Sequence, residues 1–460
     1  MQEEYSQILL WIQRLGVMRA FTLFCLHIFL FWMIEFQLST AFTRRQFMDS
    51  VRGNPGPFPY HTPIPHGPYV VGCIDVMIGR TRKGTLMRVY YPSRLSDLQS
   101  HSQHWTPWYL GKEYTHGLST FIAPSIPTIF DIYFDLQMRN IATPAVWGAP
   151  VAARKFMVII FSHGLSANRS IYSTICSELA SQGFIVAAIE HRDMSASASF
   201  ILTPSGEKEF IAYESAGKIK EYSYRNQQLK IRVAESMLAL DALEKINDGT
   251  AINELASDFN LHQLRGRLDL SHPVMAGHSF GGVTAIATLA SDQRFKVGVA
   301  LDPWMFPVKD ELHEISVKLR QPLLCISTEK FQTPANLEAM AKLNPATTTY
   351  LTIKGTVHQN QCDTPFVVGH IGRILIGATS SLDPHIAMDI NNRLMLNFIS
   401  NHIGEQGETV NKYIPYLETH KDKLVPGLYG RGKTMYGWDP ERKSFWLPGL
   451  VKNPESGIRH

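Results

Sequence analysis

The sequence has few cysteines, no cluster of basic residues and no internal repeat, and each absence excludes a class of protein. Its five cysteines are scattered and odd in number, which argues against a disulfide framework and against a zinc site. The net charge of +4 over 460 residues is small and no Lys/Arg block is present, so we expect no nucleic-acid partner. With 45% hydrophobic and 18% charged residues, the chain instead has the composition of a large globular protein.

An apolar run near the N-terminus predicts a targeting segment. Residues 20–34 are almost entirely apolar and follow Arg14 and Arg19, and Ser39 and Ala41 form a small-x-small pattern that signal peptidase could cut. The run is slightly short for a membrane span. We therefore predict either a cleaved signal peptide or an uncleaved signal-anchor, and a protein of the secretory pathway that is secreted or membrane-anchored.

Composition divides the chain into four parts. Residues 1–41 are the signal peptide or signal-anchor, in which residues 17–34 would form the anchor. Residues 42–66 are rich in proline and glycine and are typical of a linker. Residues 67–403 form one folded domain, and residues 404–460 form a polar tail that packs on the domain or trails from it.

Strand-like and helix-like segments alternate through the domain. Such alternation predicts an α/β fold, with a mostly parallel sheet and helices on both of its faces. The predicted strands of this sheet are residues 156–161, 184–189, 297–301, 323–327 and 349–353.

A Gly-x-Ser-x-Gly pattern, formed by Gly277, Ser279 and Gly281, lies between an apolar run and a small-residue helical pattern. In α/β-hydrolases a sharp strand-to-helix turn of this kind exposes a nucleophilic serine. The pattern alone is weak, because composition gives it by chance to roughly one chain in six at this length. The residues downstream therefore have to show whether this is the turn of a nucleophilic serine or only a tight turn that contains a serine.

An acid and a histidine follow the serine in the order that an α/β-hydrolase requires. Asp302 closes a predicted strand and His358 follows another, so both are expected beside Ser279 at the carboxyl edge of the sheet. The backbone N–H groups of Phe280 and Leu165 are the predicted oxyanion hole. This chemistry requires no cofactor and no metal ion, and no convergent ligand set is present.

A second motif is typical of a different function, but the sequence around it does not provide the strand and helix that this function requires. Gly427, Gly432, Lys433 and Thr434 match the spacing of a phosphate-binding P-loop. No buried strand precedes them and Pro440 interrupts any helix after them, so we reject a nucleotide-binding function.

Several segments around the predicted catalytic residues closely resemble the plasma and type II intracellular platelet-activating factor acetylhydrolases, also called group VII phospholipases A2. The resemblance extends over roughly residues 60–403 and rests mainly on residues 161–165, 190–193, 277–282 and 304–307. The sequence departs from the family pattern at Ser166 and Asn168, which could reshape the acyl pocket, and at Pro303, which could shift the loop after the acid.

The resemblance implies calcium-independent hydrolysis of the sn-2 acyl group of platelet-activating factor and of phospholipids with short or oxidised sn-2 chains. It places the family's catalytic triad on Ser279, Asp302 and His358 and its oxyanion donors on Leu165 and Phe280. A general carboxylesterase or lipase on the same fold is the alternative enzyme, and a lipid-binding pseudo-hydrolase is the alternative without activity.

An amphipathic helix is the predicted contact with lipid, because an enzyme of aggregated phospholipid must reach a membrane or lipoprotein surface. The alternative is that the apolar stripe of this helix covers the core. The stripe consists of Ile126, Ile129, Phe130, Tyr133 and Phe134, and a second candidate patch consists of Phe366, Val367 and Val368.

Overall fold

The computed structural model describes residues 60–216, 221–403, 412–430 and 433–436. The predicted signal peptide or signal-anchor, most of the predicted linker and the last part of the tail lie outside these residues. Within the described residues, no helix is both long and apolar enough to cross a membrane.

The described chain contains strands and helices that alternate along most of its length. The strands are β1 (Tyr60–His61), β2 (Val71–Ile78), β3 (Thr85–Pro92), β4 (Trp105–Pro107), β5 (Ile141–Trp147), β6 (Phe156–Ser162), β7 (Phe184–Ile189), β8 (Ala198–Leu202), β9 (Lys208–Ala212), β10 (Leu268–His278), β11 (Val297–Leu301), β12 (Leu323–Thr328), β13 (Thr348–Ile353), β14 (Leu424–Pro426), β15 (Leu428–Gly430) and β16 (Lys433–Tyr436). The helices are α1 (Lys112–Ile122), α2 (Pro127–Met138), α3 (Ser173–Ser181), α4 (Glu221–Asp248), α5 (Phe280–Ser291), α6 (Leu312–Lys318), α7 (Pro334–Met340), α8 (Thr364–Val367), α9 (Gly369–Leu375), α10 (Pro384–His402) and α11 (Ile414–Thr419).

Twelve of the described strands form one sheet in the order β1-β5-β2-β3-β7-β6-β10-β11-β12-β13-β14, with β4 paired to β5. From β7 to β13 all neighbouring strands are parallel. Strands β2 and β3 are antiparallel to each other, and β3 is antiparallel to β7. The mostly parallel α/β fold predicted from the sequence is therefore confirmed.

The central strands are buried on both faces, which is why their sequences are continuous apolar runs rather than alternating ones. Strand β7 is buried at every position, and so are residues 280–290 of helix α5. Because the parallel strands β6, β10, β11, β12 and β13 are neighbours, their carboxyl ends lie along one edge of the sheet.

The described structure includes residues 60–66, which lie before the predicted domain boundary of residue 67. Strand β1 pairs in parallel with β5, and the N–H of Thr62 donates to the carbonyl of Ala142 at 3.0 Å. The last part of the predicted linker of residues 42–66 is therefore paired with the sheet of the domain. The pairing explains the difference, because this segment is held by backbone hydrogen bonds that its proline-rich composition does not indicate.

The described part of the tail packs on the domain. Strand β14 adds antiparallel to β13, and Leu417 and Leu428 are buried. The rejected P-loop pattern lies in the antiparallel pair β15–β16, with a strand where a P-loop requires a helix.

Candidate active site

Ser279 lies at the turn between strand β10 and helix α5. Its backbone has φ 59° and ψ −116°, a conformation that side-chain-bearing residues seldom adopt. The turn is held by the N–H of Ser279, which donates to the carbonyl of Leu301 at 2.9 Å. This is the strained strand-to-helix geometry that presents a nucleophile above the sheet.

The glycines on either side of Ser279 are required by close backbone contacts. A Cβ on Gly281 would lie 1.9 Å from the carbonyl oxygen of Ser162, and one on Gly277 would lie 2.2 Å from that of Gly281. Real Cβ atoms do not approach oxygen so closely. The Gly-x-Ser-x-Gly spacing is therefore a packing requirement of this turn.

Asp302 directly follows β11 and is completely buried. Its carboxylate accepts a hydrogen bond from Nδ1 of His358 at 3.0 Å. It also accepts from the N–H of Thr328 at 2.6 Å and from Nε2 of Gln332 at 3.1 Å. These bonds fix the carboxylate, so that it orients the imidazole of His358 and stabilises its positive charge.

Sequence reasoning did not identify the groups that hold Asp302 and His358 in place. Thr328 ends β12, the strand next to β11, so a polar residue at that strand end was the available signal. The ring of Phe331 stacks on that of His358, with centroids 3.8 Å apart and planes 16° apart. Nothing in the local sequence pattern indicates this contact.

The ring of His278 also packs against that of His358, with centroids 4.3 Å apart. Burial lowers the pKa of His278 well below its usual value, and the neighbouring His358 lowers it further. His278 therefore stays neutral and does not repel the imidazolium that a general base becomes.

Among the described residues, one group of three possible metal ligands occurs, and it consists of His278, Asp302 and His358. The hydrogen bonds of Asp302 to His358 and Thr328 already occupy its oxygens. Calcium in proteins takes six to eight oxygen ligands, so this set does not fit calcium. Asp302 and His358 are accounted for as the acid and base of a serine hydrolase, and His278 as the neutral neighbour of the His358 ring.

Ser279 and His358 line a cavity of about 400 Å³ that also contains Leu165. Phe280 is the first residue of α5, where a backbone N–H has no partner within the helix. The positive end of the helix dipole adds to its attraction for an anion. The structure thus brings together all five residues predicted for the triad and the oxyanion hole.

The rest of the cavity wall is mostly apolar and comes from several elements. Ser166, one of the positions where the sequence departs from the family pattern, is part of this wall. Its larger apolar members are Trp108, Leu118, Phe121, Ile122, Phe134, Met138, Ile171, Val367, Val368, Leu375 and Ile376.

The predicted lipid contact is wrong for two residues of the stripe and two of the second patch. Phe130 and Phe134 on α2 are 7% and 0% exposed, and Val367 and Val368 are 2% and 1% exposed. Phe134 and Val367 instead line the cavity. Helix α2 buries the side that carries Phe130, Phe134 and Met138, spaced four residues apart, because that side packs over the cavity.

The other predicted interface residues have different positions. Ile129 is 52% exposed. Tyr133 is partly buried, and its hydroxyl donates to the carbonyl of Val368 at 2.8 Å. Phe366 is partly buried against the ring of His385. The outward-facing apolar residues of α2 are thus Ile129, Ile132 and Leu136.

Comparison with known proteins agrees with this geometry. A ferulic acid esterase from Streptomyces cinnamoneus superimposes with a TM-score of 0.56 over 80% of this chain and 99% of its own, at 18% identity, which supports the fold alone. The fold and the site define a carboxylic ester hydrolase of the α/β-hydrolase class.

Residues 59–421 match the family described as platelet-activating factor acetylhydrolase, isoform II, and the chain belongs to this family. It is 38% identical to the platelet-activating factor acetylhydrolase of Bos taurus over 377 residues, 79% of this chain and 82% of the relative. A putative phospholipase A2 of Schizosaccharomyces pombe is 27% identical over 69% of this chain and 84% of its own.

Proposed function

We propose that the enzyme releases the sn-2 acetyl group, or another short or oxidised acyl group, from platelet-activating factor and related phospholipids without calcium. The observation that carries the proposal is the mostly apolar cavity that Ser279 and His358 line. The names of the relatives, platelet-activating factor acetylhydrolase and phospholipase A2, supply the substrate class.

The reaction follows the serine hydrolase sequence. The hydroxyl oxygen of Ser279 attacks the ester carbonyl, and Nε2 of His358 takes its proton while Asp302 stabilises the imidazolium. The N–H groups of Leu165 and Phe280 stabilise the oxyanion of the tetrahedral intermediate. His358 then protonates the departing glycerol oxygen, and a water molecule activated by His358 releases the acid from Ser279.

Loss of the nucleophile tests this mechanism. Ser279→Ala is expected to lower kcat by several orders of magnitude, because the covalent route is lost. A fluorophosphonate probe should label the wild type and not the variant. Ser291→Ala, on the exposed end of α5, is the matched control and should be labelled like the wild type. Equal labelling of Ser279→Ala would contradict the assignment.

Substrates of graded length separate the proposed function from a general carboxylesterase or lipase. Purified enzyme is assayed on phosphatidylcholines whose sn-2 chains run from acetyl to palmitoyl. We expect kcat/KM to fall steeply as the sn-2 chain lengthens. The activity should be unchanged in the presence of excess chelator. Equal rates along the series, or loss of activity that calcium restores, would contradict it.

We propose a corrected lipid-docking surface, the mouth patch, at the rim of the cavity. Phe121 and Leu375 belong both to this patch and to the cavity wall. Helices α2 and α9 meet there, since a Cβ on Gly372 would lie 3.0 Å from the hydroxyl of Tyr133. Exposed apolar residues grouped in this way are typical of membrane-binding surfaces. The members of the mouth patch are Phe121, Ile129, Ile132, Leu136, Ile371, Ile374 and Leu375.

Substitution on opposite faces of α2 tests the mouth patch. Ile129→Ser with Ile132→Ser is expected to weaken liposome binding and to spare hydrolysis of a soluble short-chain ester. Phe134→Ser should instead lower thermal stability and soluble-ester activity, because Phe134 is buried in the cavity wall. Ile252→Ser, exposed outside the patch, is the control. Unchanged liposome binding by the double variant would contradict the proposal.

We also propose that the enzyme enters the secretory pathway and is either secreted or anchored through residues 17–34. The apolar run and the Ser39-x-Ala41 pattern support this, and they lie outside the described residues. N-terminal sequencing should find a start near Phe42 in secreted material. Without cleavage, the protein should resist a carbonate wash of membranes. A cytosolic protein with Met1 intact would contradict both versions.

A further inference from the structure

In the loop that carries Leu165, the backbone N–H groups of the two neighbouring residues are hydrogen-bonded. The N–H of Gly164 donates to the hydroxyl of Tyr172 at 3.0 Å. The N–H of Ser166 donates to the carbonyl of Ser195 at 2.7 Å. Within the described residues, the N–H of Leu165 between them has no partner.

The direction of that N–H is set by the other end of its own peptide. The carbonyl of Gly164 accepts from Nδ1 of His163 at 2.7 Å, from the N–H of Ala167 at 3.3 Å and from Nη2 of Arg232 at 3.4 Å. In a trans peptide the C=O and the N–H point in opposite directions. Holding the Gly164 oxygen on the buried side therefore turns the N–H of Leu165 the other way, toward the cavity that contains Ser279.

Arg232 is completely buried on helix α4, and its guanidinium contacts both parts of the predicted oxyanion hole. Nη1 donates to the carbonyl of His163 at 2.6 Å, beside the Gly164 contact. The guanidinium carbon lies 4.3 Å from the ring centroid of Phe280, the residue that supplies the second N–H. One side chain thus bridges the loop after β6 and the start of α5.

The guanidinium is itself held in place, and its buried positive charge is compensated. Its Nε donates to Asp193 at 3.1 Å, which offsets the cost of burying the charge. Its Nη2 donates to the hydroxyl of Ser195 at 2.6 Å. Only arginine offers a planar fork of donors that reaches an acid, a hydroxyl and two carbonyls at once.

We propose that Arg232 is a positioning residue for the oxyanion hole, which it aligns by holding the Gly164–Leu165 peptide and the Phe280 side chain. This inference rests on the proposed function. Arg232 is buried behind the loop and is not among the residues that line the cavity, so it acts through the direction of the Leu165 N–H.

A thionoester distinguishes this role from general support of the fold. In a soluble thionoester the carbonyl oxygen is replaced by sulfur, a larger and weaker acceptor that an oxyanion hole stabilises poorly. The ratio of kcat/KM for the oxygen ester to that for the thionoester therefore reports on the hole. The ratio is independent of the fraction of active enzyme, so partial misfolding cancels.

The test variant is Arg232→Lys, which keeps a charge near Asp193 but cannot bind both loop carbonyls. We expect kcat for the oxygen ester to fall about 10- to 100-fold with KM little changed, below the loss for deleting a donor outright. The ester-to-thionoester ratio should fall with it. Ser195→Ala, which removes one support of the guanidinium, should shift the ratio in the same direction by less.

Arg393→Lys is the matched control, because Arg393 is a partly buried arginine paired with Asp389 on helix α10, outside the loop. It should lower stability and leave the ratio at its wild-type value. An unchanged ratio in Arg232→Lys, or in Ser195→Ala if Arg232→Lys is insoluble, would overturn the inference. A wild type that hydrolyses neither compound would instead show that the proposed function is wrong, and the inference would fall with it.

Discussion

At the scale of single residues, the site depends on side chains that hydrogen bonds hold in a single conformation. Asp302 has φ 39°, and its position is kept although Pro303 follows it. The carbonyl of Pro303 accepts from Nδ2 of Asn336, and the N–H of Trp304 donates to the carbonyl of Ser279. The proline therefore leaves the acid within reach of His358.

Asp302→Asn tests whether the acid sets the tautomer of His358. The amide keeps the shape of the side chain, but its NH₂ group would face Nδ1 of His358 and favour the wrong tautomer. We expect kcat to fall by about 10⁴-fold, with a small loss of thermal stability. Steady-state kinetics on a soluble ester measure the first effect, and calorimetry measures the second. A loss of less than about tenfold would contradict the role of Asp302.

At the scale of elements, helix α2 shows how periodicity and burial differ. The sequence places an apolar stripe at helical spacing, and the helix forms at residues 127–138. A helix with apolar residues on more than one side has two candidate inner faces. Packing over the cavity buried the side with Phe134 and left Ile132 outward, 61% exposed.

The segment between β1 and β2 is attached to helix α3 through a titratable contact. The backbone N–H of His66 donates to Glu178 at 2.7 Å, and its Nδ1 lies 3.2 Å from the same oxygen. The hydrogen bond to Glu178 raises the pKa of His66. A raised histidine pKa contributes stability that is present below the unfolded value and lost as the pH rises through the folded value.

His66→Ala should therefore lower stability at pH 6 and have little effect at pH 8.5. The expected loss at pH 6 is below about 1 kcal/mol, because the side chain is half exposed. Glu178→Gln is the companion variant, since it removes the charge and should abolish the same pH dependence. Thermal midpoints at the two pH values measure the effect. An equal loss at both would show that the imidazole contributes only by packing.

At the scale of the whole molecule, the tail closes one side of the sheet. Strand β14 pairs with β13, and the opposite residues are Leu351 with Pro426, Thr352 with Val425, and Ile353 with Leu424. An uncovered strand at this position would present unpaired backbone groups to other chains. His358 follows β13 closely, so the covered edge adjoins the site.

Removal of residues 404–460 should expose the edge of β13 and the apolar surface that Leu417 and Leu428 cover. We expect a lower thermal midpoint and aggregation that increases with protein concentration. A chain that ends at Tyr436 retains β14 and is the control. Light scattering during a thermal ramp measures both quantities. Identical behaviour of the two truncations would contradict a stabilising role for the tail.

The sequence by itself determined the α/β fold class and the set of residues that meet at the carboxyl edge of the sheet. It could do so because buried parallel strands require apolar runs, and because Gly277 and Gly281 have no room for a side chain. The order of serine, acid and histidine then follows from strand ends that lie side by side.

Only the tertiary structure decided what lies around those residues. The contacts of Phe331 with His358 and of Arg232 with the oxyanion loop join positions far apart in the chain, and no local pattern encodes them. Tertiary packing also determined which side of α2 is buried, although the sequence specified that α2 is an apolar helix. Local sequence sets which conformations are favourable, whereas long-range packing selects which surfaces become interior.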